Sequence, residues 1–396
     1  MPNKVVQASF WCKMRRGGKA AYLKKLTDKF HFRSVDVGTE MEGSSPPSVF
    51  IGKWNYPKVF VGPLLTPQHG DTSIMDTPEA WIGNKNPQEV IDYRLNLVRG
   101  KEAVGVKQID HKLVQQMREI ALAKTSVESE AVFEKKPTGF RLHEEVQPFG
   151  PSAKLKTFTV GNVKWEQKLE KVFYDTDLKA RDAVLHLYKK GTLVSQIQKS
   201  FSVGSMGIDQ NRKLVPTRWS ITAVDDTIGK HLVDEIKHYG VIPEYRVYEF
   251  KAFNNYFAIL LTPTIWQYEW MEAFIRVLGN EVALFADHEL NTGKKEYSSV
   301  GGCFYSVRLG VAEQLKKERK QAGAIVFREA YPGYIPLGVW LCRELTRNAM
   351  RTKPKIFENM NAALSHINSR LTLGLERFKK DSVLLKERQV TLGNFI

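Results

Sequence analysis

Residues 48–62 read SVFIGKWNYPKVFVG, two short runs, SVFIG and KVFVG, on either side of a KWNYP link. Each run is β-branched and aromatic and ends at glycine, so the stretch predicts two strands of a hairpin. A second hairpin is predicted at YRVYEF and YFAILL, around a polar turn at Asn254–Asn255. Upstream of the first hairpin lies the Gly43-Ser44-Ser45-Pro46-Pro47-Ser48 turn. DTPEAW (76–81) carries a helix-start signal with Pro78 at the first helical position.

Helices are expected where apolar residues recur three and four apart. They fall at 110–124 (Leu113, Met117, Ile120), in two pieces of 162–190, at 225–239 (Ile228, Leu232, Ile236), at 304–321 and at 337–350. Phe357, Met360, Leu364, Ile367 and Leu371 give the cleanest helical spacing. GAIVF (323–327) reads as a strand, whereas 125–160 is polar, poorly periodic and expected to be the least ordered interior stretch. No long repeat or regular strand–helix alternation is present, which excludes solenoids and doubly wound sheets. The expected class is α+β: a mixed α/β two-part globular protein with an N-terminal hairpin-rich region and a helical C-terminal part.

Composition narrows the function. Among 396 residues, 42% are hydrophobic and 11% aromatic, enough for a core and against disorder. The best apolar run, Tyr256–Leu261, is far short of the roughly 18 residues of a membrane span. The opening MPNKVVQASFWCKMRRGG has no apolar signal-peptide stretch, and Cys12, Cys303 and Cys342 give no disulfide framework. A cytoplasmic protein without a membrane partner is expected, with Cys303 and Cys342 as small buried hydrophobes.

The 59 Lys and Arg exceed the 43 Asp and Glu, for a net charge of +16, which favours an acidic partner such as nucleic acid. Residues 1–35 concentrate this charge, with Lys13, Arg15, Arg16, Lys19, Lys24 and Lys25 among nine cations against Asp28 alone. Phe10, Trp11, Tyr22, Phe30 and Phe32 are interleaved with them. Cations over phosphates and aromatics over unpaired bases make this arm a DNA-binding candidate. A solvated arm whose aromatics dock on the body fits the same pattern.

The final residues, Gln389-Val390-Thr391-Leu392-Gly393-Asn394-Phe395-Ile396, have the spacing of a sliding-clamp-binding peptide, the PIP box. One helical turn brings Leu392, Phe395 and Ile396 to one side as an apolar plug, with Gln389 at its rim. Closure of a last helix onto the body is the competing reading. For phosphate, the Gly43–Ser48 turn offers hydroxyls and amides but lacks the Lys-Ser/Thr of a P-loop, and a plain turn also accounts for it. Arg94, Arg99 and Arg328 join Gly43, Ser44 and Ser45 as candidate anion ligands, with pairing to nearby acids as the alternative. His69, Asp71 and Asp76, and the Asp287-His288-Glu289 run, lack a recognised metal-ligand spacing, so no metal is expected.

Taken together, GSSPPSVFIGKWNYPKVFVGPLLTP (43–67), GDTSIMDTPEAW (70–81), DYRLNLVRG (92–100), REAYPGYIPLGVW (328–340) and QVTLGNFI resemble the archaeal Nre DNA-repair family. The resemblance implies a basic arm (1–35), an N-terminal domain (36–275), a C-terminal domain (276–385) and a clamp-binding tail (386–396). It further implies a repair factor that binds DNA through basic surface, is recruited by the sliding clamp (PCNA), and acts beside other repair enzymes. The alternative is an enzyme acting on a nucleotide or damaged DNA, with its phosphate site at the GSSPPS turn. Many members open with a four-cysteine zinc motif. Here only Cys12 remains, with His31 nineteen residues away, so no zinc or other cofactor is expected.

Overall fold

The structure, a computed structural model, describes residues 30–142, 146–277 and 281–386. The basic-arm candidates Lys13 to Lys25, Cys12 and the tail Gln389–Ile396 lie outside the described residues. The chain forms two compact units: Phe32–Ile228 with Pro336–Leu341, and Gly229–Ile335 with Cys342 onward. Two mixed six-stranded sheets and their helices make the fold α+β, as expected. No described helix is long and apolar enough to cross a membrane.

In the first unit the sheet order is β1 (Glu40–Ser45), β5 (Val127–Phe133), β6 (Ser152–Val160), β4 (Val98–Gly105), β3 (Lys58–Leu65) and β2 (Val49–Ile51). The expected hairpin is present, with Val49 opposite Pro63 and Ile51 opposite Val61. Strand alternation sends Val49, Ile51, Val59 and Val61 into one core. Helix α2 (Lys112–Leu122) covers that face with Leu113, Val114, Met117 and Ile120, each fully or almost fully buried. Each such side chain contributes roughly 1.5–3 kcal/mol. Phe50 points to the opposite face, where it meets Leu64 and Phe149.

Within 125–160, Val127–Phe133 and Ser152–Val160 are ordered against the expectation from polarity, because β5 and β6 lie between the sheet's other strands. In VESEAVF the inward positions are Val127, Ser129, Ala131 and Phe133, and the outward glutamates hide the period of two. DTPEAW forms a single short 3₁₀ helix, Pro78–Ala80, starting at Pro78 as expected but not extending into an α-helix, and another 3₁₀ turn, Ser73–Asp76, precedes it. The helix starts at α1 (Pro87–Leu95), fixed by a reciprocal capping box between Asn86 and Glu89. Helices α3 (Gln167–Tyr174), α4 (Ala180–Lys189) and α5 (Val194–Ser202) follow, then α6 (Thr217–Ile236), inside which the unit boundary falls.

The second sheet runs β10 (Val282–Glu289), β9 (Gln267–Ile275), β11 (Gly323–Ala330), β8 (Asn255–Thr262), β7 (Tyr245–Ala252) and β12 (Lys355–Phe357). The β7–β8 turn is centred on Phe253 and Asn254, one residue earlier than expected. Both have positive φ (51° and 54°), the geometry of a type I′ hairpin turn. β11 pairs antiparallel with β8 and parallel with β9. The strands of this sheet span 245–357.

Helices α9 (Met360–Asn368) and α10 (Leu375–Asp381) pack Leu364, Ile367 and Phe378 on the face that carries Met271 and Ala273. On the other face Tyr268 reaches α7 (Gly302–Glu318), its ring 4.8 Å from Phe304. Cover on both sides explains why β8 and β11 are buried at every position. Helix α8 (Trp340–Arg351) brings Cys342 within 3.4 Å of Cys303.

Glu249 in β7 yields a pH test. Burial opposes its ionisation, but hydrogen bonds from Tyr256 (2.6 Å), His366 (2.8 Å) and Lys355 (3.1 Å) outweigh it and hold the carboxyl at about 2. The folded value lies below the unfolded one, so this stabilisation is complete above about pH 4.5 and is lost as pH falls toward 2. Urea melts at pH 7 and pH 3 should show Glu249→Gln closing part of the wild-type difference. An undiminished difference would assign the acid sensitivity elsewhere.

A candidate anion-binding cleft

Strand alternation turns Val98 of β4 into the first unit's core and Arg99 onto the face shared with Phe50 and Phe149. Arg99 is 6% exposed. Its guanidinium lies 4.3 Å from the Phe50 ring and 5.4 Å from Phe149, and Nη2 donates to the Phe60 carbonyl at 3.0 Å. Its Nε has no hydrogen-bond partner among the described residues. Burial first, and then the charge of Arg141, push the guanidinium down to about 9. The two aromatic faces and the Phe60 carbonyl offset part of the cost of burying this charge.

Arg99 opens on a small, partly open cleft built from the β2 end (Phe50–Gly52), Lys53, Trp54, Phe60 of β3, Arg141, Val146 and Arg218 of α6. Its described lining includes no carboxylate. Positive charge continues along the sheet. Lys101 follows Arg99 by two residues and stands in register with Lys154 on β6. Burial first, and then the charges of Arg99, Lys135 and Lys154, lower the Lys101 ammonium, while Lys154 itself pairs with Glu134 at 3.8 Å.

A second cleft of similar size lies on the other side of Phe50, lined among others by Ser48, Asp76, Arg94, Gln147, Gln198 and Lys199. Its charge is answered internally. Buried Asp76 accepts from Arg94 Nη1 at 2.6 Å and from Lys199 Nζ at 3.2 Å. Arg94 also donates to the carbonyls of Pro148 and Met75, which makes it a structural strut.

The other expected anion ligands do not converge on Arg99. Gly43, Ser44 and Ser45 are strand β1, not a phosphate-cradling loop. Ser44 Oγ donates to Glu128 and accepts from Gly70 N–H, while Ser45 Oγ bonds Ser129 Oγ at 2.7 Å. Arg328 belongs to the second unit, where Nη1 donates to Glu272 at 2.7 Å and Nε to Asn255 at 2.9 Å. Lys53, Arg141 and Arg218 were missed from sequence because they are scattered along the chain with no common spacing.

Among the described residues no group of three or more His, Cys, Asp or Glu could hold a metal ion. His69 meets Glu128, Asp71 bonds the Ser73 amide, Asp287 takes Lys294 and Ser298, and Glu289 takes Arg308 and Trp266.

Residues 19–277 match the family model described as archaeal Nre, N-terminal, and residues 289–395 the model described as archaeal Nre, C-terminal. The chain is 41% identical over 371 residues to the DNA repair protein NreB of Archaeoglobus fulgidus, covering 91% of this chain and 93% of the relative. It is 34% identical to the DNA repair protein NreA of the same organism, covering 93% and 94%. To the DNA repair protein NreA of Haloferax volcanii it is 29% identical, covering 94% and 93%. No solved structure gives a significant match. The chain therefore belongs to the archaeal Nre family.

Proposed function

We propose that this chain is a DNA repair protein that contacts DNA through basic surface and is recruited by the sliding clamp through Gln389–Ile396. The observation that carries the repair role is 41% identity, along 91% of the chain, to a relative called a DNA repair protein. The cation-lined cleft beside Arg99 and the excess of basic residues support the DNA contact. Because the Ser44 and Ser45 hydroxyls are engaged within the sheet, the anion-binding role is assigned to the Arg99 cleft rather than to the GSSPPS segment.

The tail reading rests on spacing and has a direct test. Fully burying Leu392, Phe395 and Ile396 contributes about 1.5–3 kcal/mol each. Ordering the tail takes back several kcal/mol of that total, leaving a weak contact, no tighter than micromolar rank, that depends on all three side chains. In calorimetric titrations against the purified clamp, Leu392→Ala with Phe395→Ala should abolish binding and leave the melting temperature and DNA affinity unchanged. A lower melting temperature with intact clamp affinity would show that these side chains close the fold instead.

A further inference from the structure

We propose that Cys303 and Cys342 form a reversible redox site, a dithiol that peroxide converts to a disulfide joining helices α7 and α8. The sulfurs lie 3.4 Å apart, so closing to the roughly 2 Å of an S–S bond needs only a small side-chain movement. Both cysteines belong to the same compact unit.

The helices hold this meeting in place. On α7, Gly310 follows Cys303 by two turns, and on α8, Thr346 follows Cys342 by one. A Cβ at Gly310 would stand 2.8 Å from Thr346 Cγ2, so the helices run in close contact along the stripe that carries the sulfurs. Further along, Arg347 of α8 clamps Glu313 of α7 in a bidentate pair, both contacts at 2.7 Å. Helices fixed at two points beyond the cysteines leave the sulfurs little freedom to separate. That preorganisation favours a bond between them over reaction with a third thiol.

Burial and charge assign the two roles. Cys342 is 2% exposed, whereas Cys303 is partly exposed. Both lie in the first turn of their helices, where amide dipoles favour an anion. The hydrogen bond with Cys303, helped by the Arg328 charge, holds the Cys342 thiol below its ordinary value against burial. The same bond and burial push the Cys303 thiol up. Cys342 is therefore the attacking thiolate and Cys303 the resolving thiol. The Cys342 sulfur attacks one peroxide oxygen, the O–O bond breaks, and hydroxide leaves and takes up a proton. The Cys303 sulfur then displaces the hydroxyl of the resulting sulfenic acid as water, forming the S–S bond. Two thiols lose two electrons, and one peroxide is reduced to two waters. With so little of Cys342 open to solvent, the site suits hydrogen peroxide rather than an oxidant the size of glutathione disulfide.

The test treats reduced full-length protein with hydrogen peroxide, blocks the remaining thiols by alkylation, and maps the peptides by mass spectrometry. Free thiols should fall from three to one, with Cys303 and Cys342 joined within one chain and released by dithiothreitol. In Cys303→Ser the joined peptide should vanish, and Cys342 should be trapped by dimedone as sulfenic acid or pass on to sulfinic acid. Melting curves check that the variant folds, and Cys303→Ala replaces it if it does not. Glutathione disulfide at the same concentration should form the bond far more slowly than peroxide. Cysteines left unoxidised in the folded protein would overturn the proposal, as would bonds to Cys12 or to a second chain. Sulfinic acid in the wild type without the joined peptide would also overturn it, because the sulfurs would then react independently. Faster bond formation with glutathione disulfide would overturn the peroxide assignment.

Discussion

Glu272→Ala should destabilise the protein by about 3–5 kcal/mol, seen as a fall of the order of 10 °C in melting temperature. Arg328 and Glu272 stand in register on the parallel strands β11 and β9, 2.7 Å apart. Both are buried, and the guanidinium lies 5.3 Å from Phe274 and 5.1 Å from Tyr334. Burial raises the Glu272 carboxyl even against the Arg328 charge, which marks how poorly this site solvates ions. Removing the acid alone strands a cation in that environment. Replacing both residues by Met should cost far less than the single change, because the uncompensated charge disappears with its partner. A double-mutant cycle by urea denaturation separates these cases. A single-variant loss below about 1 kcal/mol would show that the pair is not ionised in the fold.

Gly43→Ala should be nearly as damaging, at about 3 kcal/mol or more, and in the absence of any ligand. A Cβ at this position would lie 2.1 Å from the Thr66 carbonyl oxygen and 3.0 Å from Gln68 O. The same close approach lets Ser44 N–H donate to Gln68 O at 2.8 Å, drawing edge strand β1 against the chain leaving β3. The atoms in the way are backbone and cannot swing aside. Ser44→Ala, in contrast, loses the buried hydroxyl's hydrogen bonds with Glu128 and Gly70 N–H but creates no clash, and should cost about 1–2 kcal/mol. If Gly43→Ala folds with wild-type stability, the glycine has another role, and the phosphate reading of this segment would regain its standing.

These cases show what the sequence exposes. The hairpins at 48–62 and 245–262 were legible because β-branched and aromatic residues dominate both faces of their strands. β5 and β6 were hidden because inward positions such as Ser129 and Ala131 are small or polar, while Glu128, Glu130 and Lys156 face solvent. For the cleft, Arg99 was legible only as one of three candidate arginines, since the cations around it come from positions 53, 141 and 218 and only tertiary folding gathers them. Arg94 and Arg328 looked equivalent in sequence, yet each meets a buried carboxylate that only the fold supplies.

The position of β11 bears on how the chain emerges during synthesis. β11 lies between β9 and β8, and Pro336–Leu341 groups with residues 32–228, within which Trp81 meets Trp340 at 4.8 Å. Neither unit can reach its full set of contacts until residue 341 has left the ribosome. After Ile228 that is a wait on the order of ten seconds at ordinary elongation rates. From the synthesis of β8 until β11 follows at Gly323–Ala330, YFAILL has one edge unpaired, the kind of exposed apolar strand that seeds association between chains. A nascent chain stalled near residue 277, at the end of the matched N-terminal region, is therefore the form of this protein most in need of a chaperone.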